Sequence, residues 1–232
     1  MNPEIIENDT QQDEDSLQRY DINRGLLDGC AVYLSNRDRF PVRTGTFDRE
    51  IHTKFTQFGR NARVFLDIGA AEGFYSVYML KNTEAKVFAY EASEEASGSL
   101  LRNLEENTRN GHRLWYDDRE IRNEKTDRDT TTIDCIAGHE SGPVFLKIDV
   151  DGSELEVLRG AGRVLDREDT RLIVRSSSKH SEQECMRLLD EHGFDVSIVG
   201  PAWWRSIIRD RNSDEQARWI IAEKRQIEGL FS

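Results

Sequence analysis

The sequence predicts an α/β fold in which a doubly wound, mostly parallel sheet carries helices on both faces. Two observations lead to this prediction. The apolar run 64–68 passes through a glycine turn into a helical pattern at 74–80, and further short apolar runs then alternate with amphipathic segments. Strands that alternate with helices in this way are typical of parallel sheets with crossover helices.

Length and composition limit the class of protein. The 232 residues fit one α/β domain with extra segments at the N-terminus, and the formal net charge of −12 argues against nonspecific binding of nucleic acid or anionic membranes. Cys30, Cys135 and Cys185 show no paired spacing, so neither a disulfide framework nor a zinc site is expected. Without a signal-peptide pattern or a run of about 20 apolar residues, the protein is expected to be cytoplasmic.

Four regions are predicted along the chain. Residues 1–21 contain seven acids and the single base Arg19, which indicates an acidic, disordered tail. Residues 22–61 form a leader, in which 25–34 fit either a helix or a pair of strands and 48–58 fit a helix packed on the core. The main domain spans 62–225, and 226–232 form a short C-terminal tail.

The glycine turn after the first strand of the main domain indicates a ligand site. Gly69 and Gly73 allow a sharp turn and a close approach of a ligand to the backbone at the start of a helix. Dinucleotide sites use a third glycine and keep acids away from the pyrophosphate. Here Asp67 and Glu72 add negative charge, so the turn suits a ligand with a cationic end.

The next strand, at 86–91, ends in an acid. Glu91 follows the glycine turn by about twenty residues, the separation at which a carboxylate reaches a ribose in nucleotide-binding α/β folds. A helix is predicted at 93–107. Residues 108–130 are almost entirely polar, with a third strand near 113–116 and no clear helix after it.

A second group of acids follows the buried strand predicted at 144–148. Asp149, Asp151 and Glu154 lie where this strand ends and a helix predicted over 154–165 begins. In a doubly wound sheet, the strand on the other side of the first one ends at the switch point where ligands bind. We therefore expect Asp149 to face the same crevice as Gly69.

The pattern K-I-D-x-D-G-x-E-x-x-V-L-x-G at 147–160, together with the glycine turn, resembles the FkbM-type family of class I S-adenosylmethionine (AdoMet) methyltransferases. The resemblance covers roughly 64–200. It implies a Rossmann-like, doubly wound, seven-stranded and mostly parallel sheet with an antiparallel last strand and helices on both faces. It also implies that 62–225 is a methyltransferase domain that uses AdoMet, usually to methylate a hydroxyl oxygen.

The resemblance also implies roles for particular residues. The expected cofactor-binding residues are Asp67, Gly69, Ala70, Glu72, Gly73, Glu91 and Asp149. Asp149 and Lys147 are the candidates for catalysis, although Lys147 also fits a structural ion pair. Trp115 or Tyr116 either stacks on the adenine or packs in the core. No metal site is expected.

Two further residues are candidates for substrate binding. Arg175 stands where the family typically carries a glutamate, and it either binds an anionic group of the substrate or pairs with nearby acids. His180 lies in a polar loop and is either an acid–base group or an exposed side chain.

Three functions remain open at this point. The first is an AdoMet-dependent methyltransferase that acts on a hydroxyl of a small molecule, sugar or glycan. The second is a catalytically silent binding module, suggested by the polar 108–130 segment and by Arg175. The third is an NAD-linked oxidoreductase, which Glu72 and the missing third glycine disfavour. The sequence does not indicate an oligomeric state.

Overall fold

The computed structural model describes residues 17–35, 39–108, 111–201 and 218–225. Most of the predicted acidic tail (1–16) and the predicted C-terminal tail (226–232) lie outside these ranges. The strands are β1 (Gln18–Asp21), β2 (Ala31–Leu34), β3 (Val64–Ile68), β4 (Lys86–Tyr90), β5 (Leu114–Asp117), β6 (Glu120–Ile121), β7 (Thr130–Thr131), β8 (Val144–Ile148), β9 (Thr170–Ser176), β10 (Phe194–Val199) and β11 (Arg218–Lys224).

The helices lie between these strands. They are α1 (Arg39–Thr44), α2 (His52–Asn61), α3 (Phe74–Asn82), α4 (Glu94–Asn107), α5 (Ile133–Ala137), α6 (Glu154–Arg159), α7 (Gly162–Leu165) and α8 (Lys179–Glu191), with 3₁₀ turns at Arg49–Ile51 and Gly111–Arg113.

Seven strands form the central sheet in the order β10-β11-β9-β8-β3-β4-β5. The five adjacent strands β5, β4, β3, β8 and β9 are parallel to one another. β11 is antiparallel to both of its neighbours, β9 and β10. The predicted seven-stranded sheet with an antiparallel last strand is confirmed. The strand order reverses beside β3, so the carboxyl ends of β3, β4 and β8 border one crevice.

Both faces of the sheet are buried. Along β3, Phe65 and Asp67 point to the face covered by the leader, α2, α3 and α4, while Val64, Leu66 and Ile68 point to the face covered by α5 to α8. A central parallel strand covered on both faces is apolar at nearly every position, which explains the unbroken apolar run. Asp67 is the exception, and it is fully buried.

The helix predicted over 154–165 is wrong in one respect, because it breaks at Gly160. There the chain turns between α6 and α7 while the backbone of residues 122–123 passes against it. A Cβ on Gly160 would lie 2.1 Å from the carbonyl oxygen of Arg122. The break therefore lets the small parallel sheet of β6 and β7 pack on the helix layer.

The leader resolves into a hairpin rather than a helix at 25–34. β1 pairs antiparallel with β2, so Gln18–Asp21 belong to a strand and not to the predicted tail. The opposite edge of β2 is closed by two amide side chains of α4: Asn107 bonds the backbone N–H and C=O of Ala31, and Asn103 bonds those of Tyr33. These bonds attach the hairpin to the main domain.

The polar segment after β5, which the structure describes throughout, contains no helix before α5, in line with the prediction that no clear helix follows the third strand. It contains only the two-residue strands β6 and β7 before the five-residue helix α5. Thr132 caps α5 by accepting a hydrogen bond from the backbone N–H of Cys135. In the described parts of the chain, no helix combines the length and apolar character needed to cross a bilayer.

Candidate active site

A cavity of about 440 Å³ opens at the carboxyl ends of β3, β4 and β8. Of the predicted site residues, those that line it are Gly69, Ala70, Glu72, Glu91, Lys147, Asp149 and Arg175. Asp67, Gly73 and His180 do not line it. The cavity size falls within the usual range for small-molecule sites.

The two glycines of the turn have different neighbours. Gly69 has φ of 71°, and a Cβ there would lie 2.0 Å from the backbone carbonyl oxygen of Asp149. Gly73 has φ of 80° and starts α3, and its Cβ would lie 2.4 Å from Cδ1 of Leu100. Gly69 therefore brings the ends of β3 and β8 together at the cavity, whereas Gly73 lets α3 pack against α4.

The first three N–H groups of the turn are already hydrogen-bonded within the protein. Those of Gly69 and Ala70 donate to the carbonyl oxygen of Tyr90, at 2.9 and 3.0 Å. The N–H of Ala71 donates to Oε2 of Glu91 at 2.8 Å. A pyrophosphate needs such donors directed at the ligand, and these three are directed at the neighbouring strand.

Glu91 connects the glycine turn to the start of α4. Besides the bond from Ala71, its Oε1 accepts the N–H of Ser93 at 2.8 Å. Each carboxylate oxygen can accept a second hydrogen bond, and the side chain lines the cavity. Glu91 is thus fixed in place while it retains the capacity to bind a hydroxyl.

Lys147 lies at the centre of the charged residues. Its Nζ donates to the carbonyl oxygen of Gly69 at 2.7 Å and lies 3.2 Å from Oδ1 of Asp67 and 3.7 Å from Oδ2 of Asp149. Burial lowers the pKa of Lys147, but the two carboxylates outweigh it and raise that pKa above its usual value. The lysine is therefore a cation at neutral pH, which favours the ion-pair interpretation over a role as a base.

Asp67 supports the site from below. It faces Lys147 across the pairing of β3 with β8, and its Oδ2 accepts the hydroxyl of Ser76 at 2.8 Å. Burial raises its pKa, and Lys147 and Ser76 only partly oppose that effect. Asp67 is fully buried and does not line the cavity, and Lys147 lies between the two. Cofactor binding by Asp67 stays a prediction.

Arg175 pairs with one of the acids, the second of its two predicted alternatives. Its Nη1 donates to Oδ1 of Asp149 at 3.1 Å. The guanidinium also lines the cavity, and an arginine has five N–H donors. Pairing with Asp149 therefore does not exclude contact with a second anion.

The leader contributes two residues to the site, Phe47 and Asp48, that the sequence did not single out as site residues. Phe47 lines the cavity and packs against Phe74 and Tyr75. The hydroxyl of Tyr75 donates to Oδ2 of the fully buried Asp48 at 2.8 Å, and the Tyr75 ring lies 5.3 Å from Nζ of Lys147. Burial and then Asp48 raise the pKa of Tyr75 well above its usual value, so its phenol stays a donor.

Tyr75→Phe is expected to lower the free energy of unfolding by about 1.5–3 kcal/mol, the range for a hydrogen bond to a charged group. The phenylalanine keeps the ring but leaves the buried Asp48 carboxylate without this donor. The matched control is Tyr78→Phe on the same helix, whose half-buried hydroxyl makes no hydrogen bond with the described residues. Urea unfolding of both variants measures the difference, and equal values would contradict the proposed importance of the Tyr75–Asp48 bond.

Arg119 is a further residue of the site that the sequence did not single out. It lines the cavity just after β5 and makes a bidentate pair with Asp117, which lowers the pKa of that carboxyl. Tyr90 also lines the cavity, and burial, with Asp117 adding to it, raises its pKa to about 12. Asp117 and Arg119 directly follow the predicted third strand, and this position was the available signal.

Several predicted candidates lie away from the cavity. His180 is exposed in the first turn of α8. Glu154 is buried and accepts bonds from the Ser177 N–H and the Ser181 hydroxyl. Trp115 stacks on Phe88 with the ring centroids 4.7 Å apart, and it lines, with Tyr116, a neighbouring cavity that shares Tyr90 and Arg119 with the main one. With 43% of its surface exposed, Trp115 does not pack in the core, and its stacking on an adenine stays a prediction.

A sequence model of the family described as "Methyltransferase FkbM domain" matches residues 66–196. The match lies within the predicted main domain and includes both the glycine turn and the acidic cluster after β8. None of the curated proteins matches the sequence.

Several solved structures share the fold. A methyltransferase FkbM from Methylobacillus flagellatus KT has a TM-score of 0.57 at 16% identity, over 80% of this chain and 55% of that one. TYW2 from P. horikoshii, in complex with MeSAdo, has a TM-score of 0.55 at 14% identity, over 90% and 70%. A precorrin-6y C5,15-methyltransferase from Geobacter metallireducens GS-15 has a TM-score of 0.51 at 15% identity, over 75% of this chain and 86% of that one. The chain thus spans about half the length of the FkbM structure.

Proposed function

Because this chain belongs to the FkbM methyltransferase family, we propose that it uses AdoMet to methylate a hydroxyl group of a small molecule, sugar or glycan. The observation that carries this proposal is the cavity beside the glycine turn, which Glu72, Glu91 and Asp149 line and whose lining cations are all paired with carboxylates. AdoMet presents an α-amino cation, a sulfonium and a ribose to its site. Acids around a cavity of this size suit those groups, and the MeSAdo complex of a structure with the same fold is consistent with this assignment.

The same residues argue against an NAD-linked oxidoreductase. The N–H groups of Gly69, Ala70 and Ala71 are occupied by Tyr90 and Glu91. The carboxylates of Glu72 and Asp149 line the cavity beside this turn. An anionic bridge would therefore meet acceptors rather than donors, which costs binding energy.

The residues that would hold AdoMet can be assigned from the acidic and backbone groups that line the cavity. We propose that Glu91 accepts hydrogen bonds from the ribose hydroxyls and that Glu72 and the Gly69–Ala70 backbone border the methionine end. AdoMet supplies an electrophilic methyl group. Asp149 is the acid nearest Lys147 that also lines the cavity, and we assign it to orienting the acceptor or the α-amino group.

The acceptor hydroxyl must be held in line and shielded from water. Lys147 is already protonated and fixes Asp149 and the glycine turn, so it does not remove the proton. Asp149 is the candidate for the base that removes the proton from the hydroxyl group to be methylated. Arg175, which lines the cavity beside Asp149, is proposed to contact an anionic group of the substrate. The net charge of −12 supports a small molecule rather than a nucleic acid as the methyl acceptor. We also propose that the protein is cytoplasmic.

Calorimetric titration with AdoMet and with NAD tests the cofactor. We expect AdoMet to bind and NAD not to bind. Glu91→Gln should weaken AdoMet binding at least tenfold, because a hydrogen bond to a charged group contributes about 1.5–3 kcal/mol and about 1.4 kcal/mol corresponds to a factor of ten. The glutamine keeps one acceptor oxygen for the backbone. Glu140→Gln is the control, since Glu140 pairs with Lys86 away from the cavity.

Two results would contradict the proposal. NAD binding with no AdoMet binding would reverse the cofactor assignment. Undiminished AdoMet affinity in Glu91→Gln would remove Glu91 from the ribose. Labelled AdoMet with a panel of hydroxylated acceptors, each in neutral and anionic form, then tests transfer; binding without transfer to any acceptor would support the silent binding module.

A further inference from the structure

We propose that the leader carries a second ligand site, which binds the polyphosphate group of a small molecule. The site is a groove bordered by α1, by the β1–β2 turn and by the segment after α1. It consists of two cavities of about 770 and 460 Å³ that share Asn23, Arg24 and Thr44. We call it the arginine groove, after its lining residues Arg24, Arg39, Arg43 and Arg49.

The four arginines concentrate positive charge on an acidic protein. All four side chains are exposed, and within the described ranges none lies in ion-pair distance of a carboxylate. By contrast, Arg119 and Arg175, at the proposed active site, are both paired with aspartates. Unpaired cations grouped in a concavity, on a chain with a net charge of −12, require a reason other than solubility.

The acid and the histidine in the groove do not cancel this charge. Asp21 borders the groove and its Oδ1 lies 3.0 Å from Nη1 of Arg19, which also pairs with Glu106; Asp21 is one carboxylate beside four guanidinium groups. His52 borders the second cavity, and its Nε2 lies 2.7 Å from the carbonyl oxygen of Phe47. Burial lowers the pKa of His52, so the positive charge at neutral pH comes from the arginines.

One tyrosine orders two of the arginines. Arg39 and Arg43 are four residues apart and share one face of α1. The guanidinium carbon of Arg43 lies 4.9 Å from the ring centroid of Tyr20, and Nη1 of Arg39 lies 3.5 Å from the hydroxyl of Tyr20. The tyrosine restricts both side chains and leaves most of their N–H donors available. Less side-chain freedom is therefore lost when an anion binds.

The chemistry of the groove selects its ligand. Planar guanidinium groups bind phosphate oxygens in pairs, which an equal number of lysines would not do. Four cations spread over two joined cavities fit several linked phosphates better than one. A concave site of this size suits a small molecule, and the overall negative charge opposes a long polyanion. Phe40 borders the groove with 57% of its surface exposed, which offers a ring to an aromatic base.

The arginine groove is separate from the proposed active site. The segment Thr44–Arg49 lies between them, since Thr44 and Arg49 border the groove and Phe47 lines the cofactor cavity. Gly25 and Gly45 hold this segment against the hairpin turn, because a Cβ on Gly25 would lie 2.5 Å from Cα of Gly45. Binding in the groove can therefore be measured without AdoMet.

Titration calorimetry of the full chain with inorganic pyrophosphate and with ADP, at low salt and without AdoMet, tests the proposal. We expect both probes to bind and the double variant Arg39→Ala/Arg43→Ala to weaken each at least tenfold. Arg60→Ala is the matched control. Arg60 is also exposed and unpaired among the described residues, but it lies on α2 away from the groove. The affinity of this variant for each probe should stay within twofold of the parent's. Tighter binding of ADP than of pyrophosphate would identify a nucleotide as the source of the polyphosphate, and equal binding would identify the phosphates alone.

Three results would overturn the proposal: no binding of either probe to the full chain, unchanged affinity in the double variant, or an equal loss in Arg60→Ala. The double variant should keep the thermal midpoint and the AdoMet affinity of the parent. If it does not fold, Arg24→Ala, which removes a side chain shared by both cavities, replaces it. Failure of AdoMet to bind would refute the proposed function and leave the groove result unaffected.

Discussion

Gly69→Ala is expected to lower the free energy of unfolding by about 3 kcal/mol or more and to abolish cofactor binding. At φ of 71°, an alanine costs about 1–2 kcal/mol in this left-handed conformation alone. The added Cβ would also lie 2.0 Å from the backbone carbonyl oxygen of Asp149. That oxygen cannot rotate away as a side chain would, and the N–H of Asp149 is bonded to Ile68. The ends of β3 and β8 must therefore move apart, and the cavity between them changes shape.

Gly152→Ala provides the control for this prediction. Gly152 has φ of 82°, but a Cβ there would meet nothing within 4 Å. Its substitution is expected to cost only the left-handed conformation, about 1–2 kcal/mol. Urea unfolding and AdoMet calorimetry of both variants separate strain from steric contact. Similar losses of stability in the two variants would contradict the close approach of β3 and β8.

Lys147→Met is expected to destabilise the fold by about 3–5 kcal/mol, the range for removing one partner of a buried ion pair. Methionine fills a similar volume but leaves the carboxylate of Asp67 buried without its cation. It also removes the bond to the carbonyl oxygen of Gly69. The exposed Lys179 on α8 is the control, and Lys179→Met should change stability by about 0.5 kcal/mol or less.

The loss in Lys147→Met should depend on pH. In the parent, Lys147 has a raised pKa, so its stabilising charge is fully present below the pKa of an unfolded lysine and is lost only as pH rises through the folded value. Without it, Asp67, whose pKa burial already raises, takes up a proton more readily. Folding then gains stability as pH falls through that raised pKa. The difference between parent and variant should be smaller at pH 5 than at pH 8, and an equal difference would contradict the Lys147–Asp67 coupling.

Much of the central sheet could be predicted from the sequence because its strands are buried on both faces. The runs at 64–68 and 144–148 are apolar for that reason, and their boundaries agree with β3 and β8. The charged residues Asp67 and Lys147 interrupt these runs at facing positions of the pairing. The sequence left open whether Lys147 forms a structural ion pair. The pairing of β3 with β8 sets it opposite Asp67, where the ion pair forms.

The leader was harder to predict because its contacts are distant in sequence. β1 is short and polar, and its pairing with β2 is stabilised by Asn103 and Asn107 of α4. Phe47 and Asp48 reach the site through Tyr75, and no local pattern signals this contact. The break at Gly160 depends on the backbone of Arg122, which lies far away along the chain.

The hairpin edge described above has a consequence for behaviour at high concentration. An exposed strand edge presents unpaired N–H and C=O groups that another chain can extend into a shared sheet, a common route to aggregation. In this protein the amides of Asn103 and Asn107 occupy those groups on the free side of β2. Two side chains on a helix thus take the place of a third strand. The small leader sheet thereby has one edge that cannot recruit a second molecule.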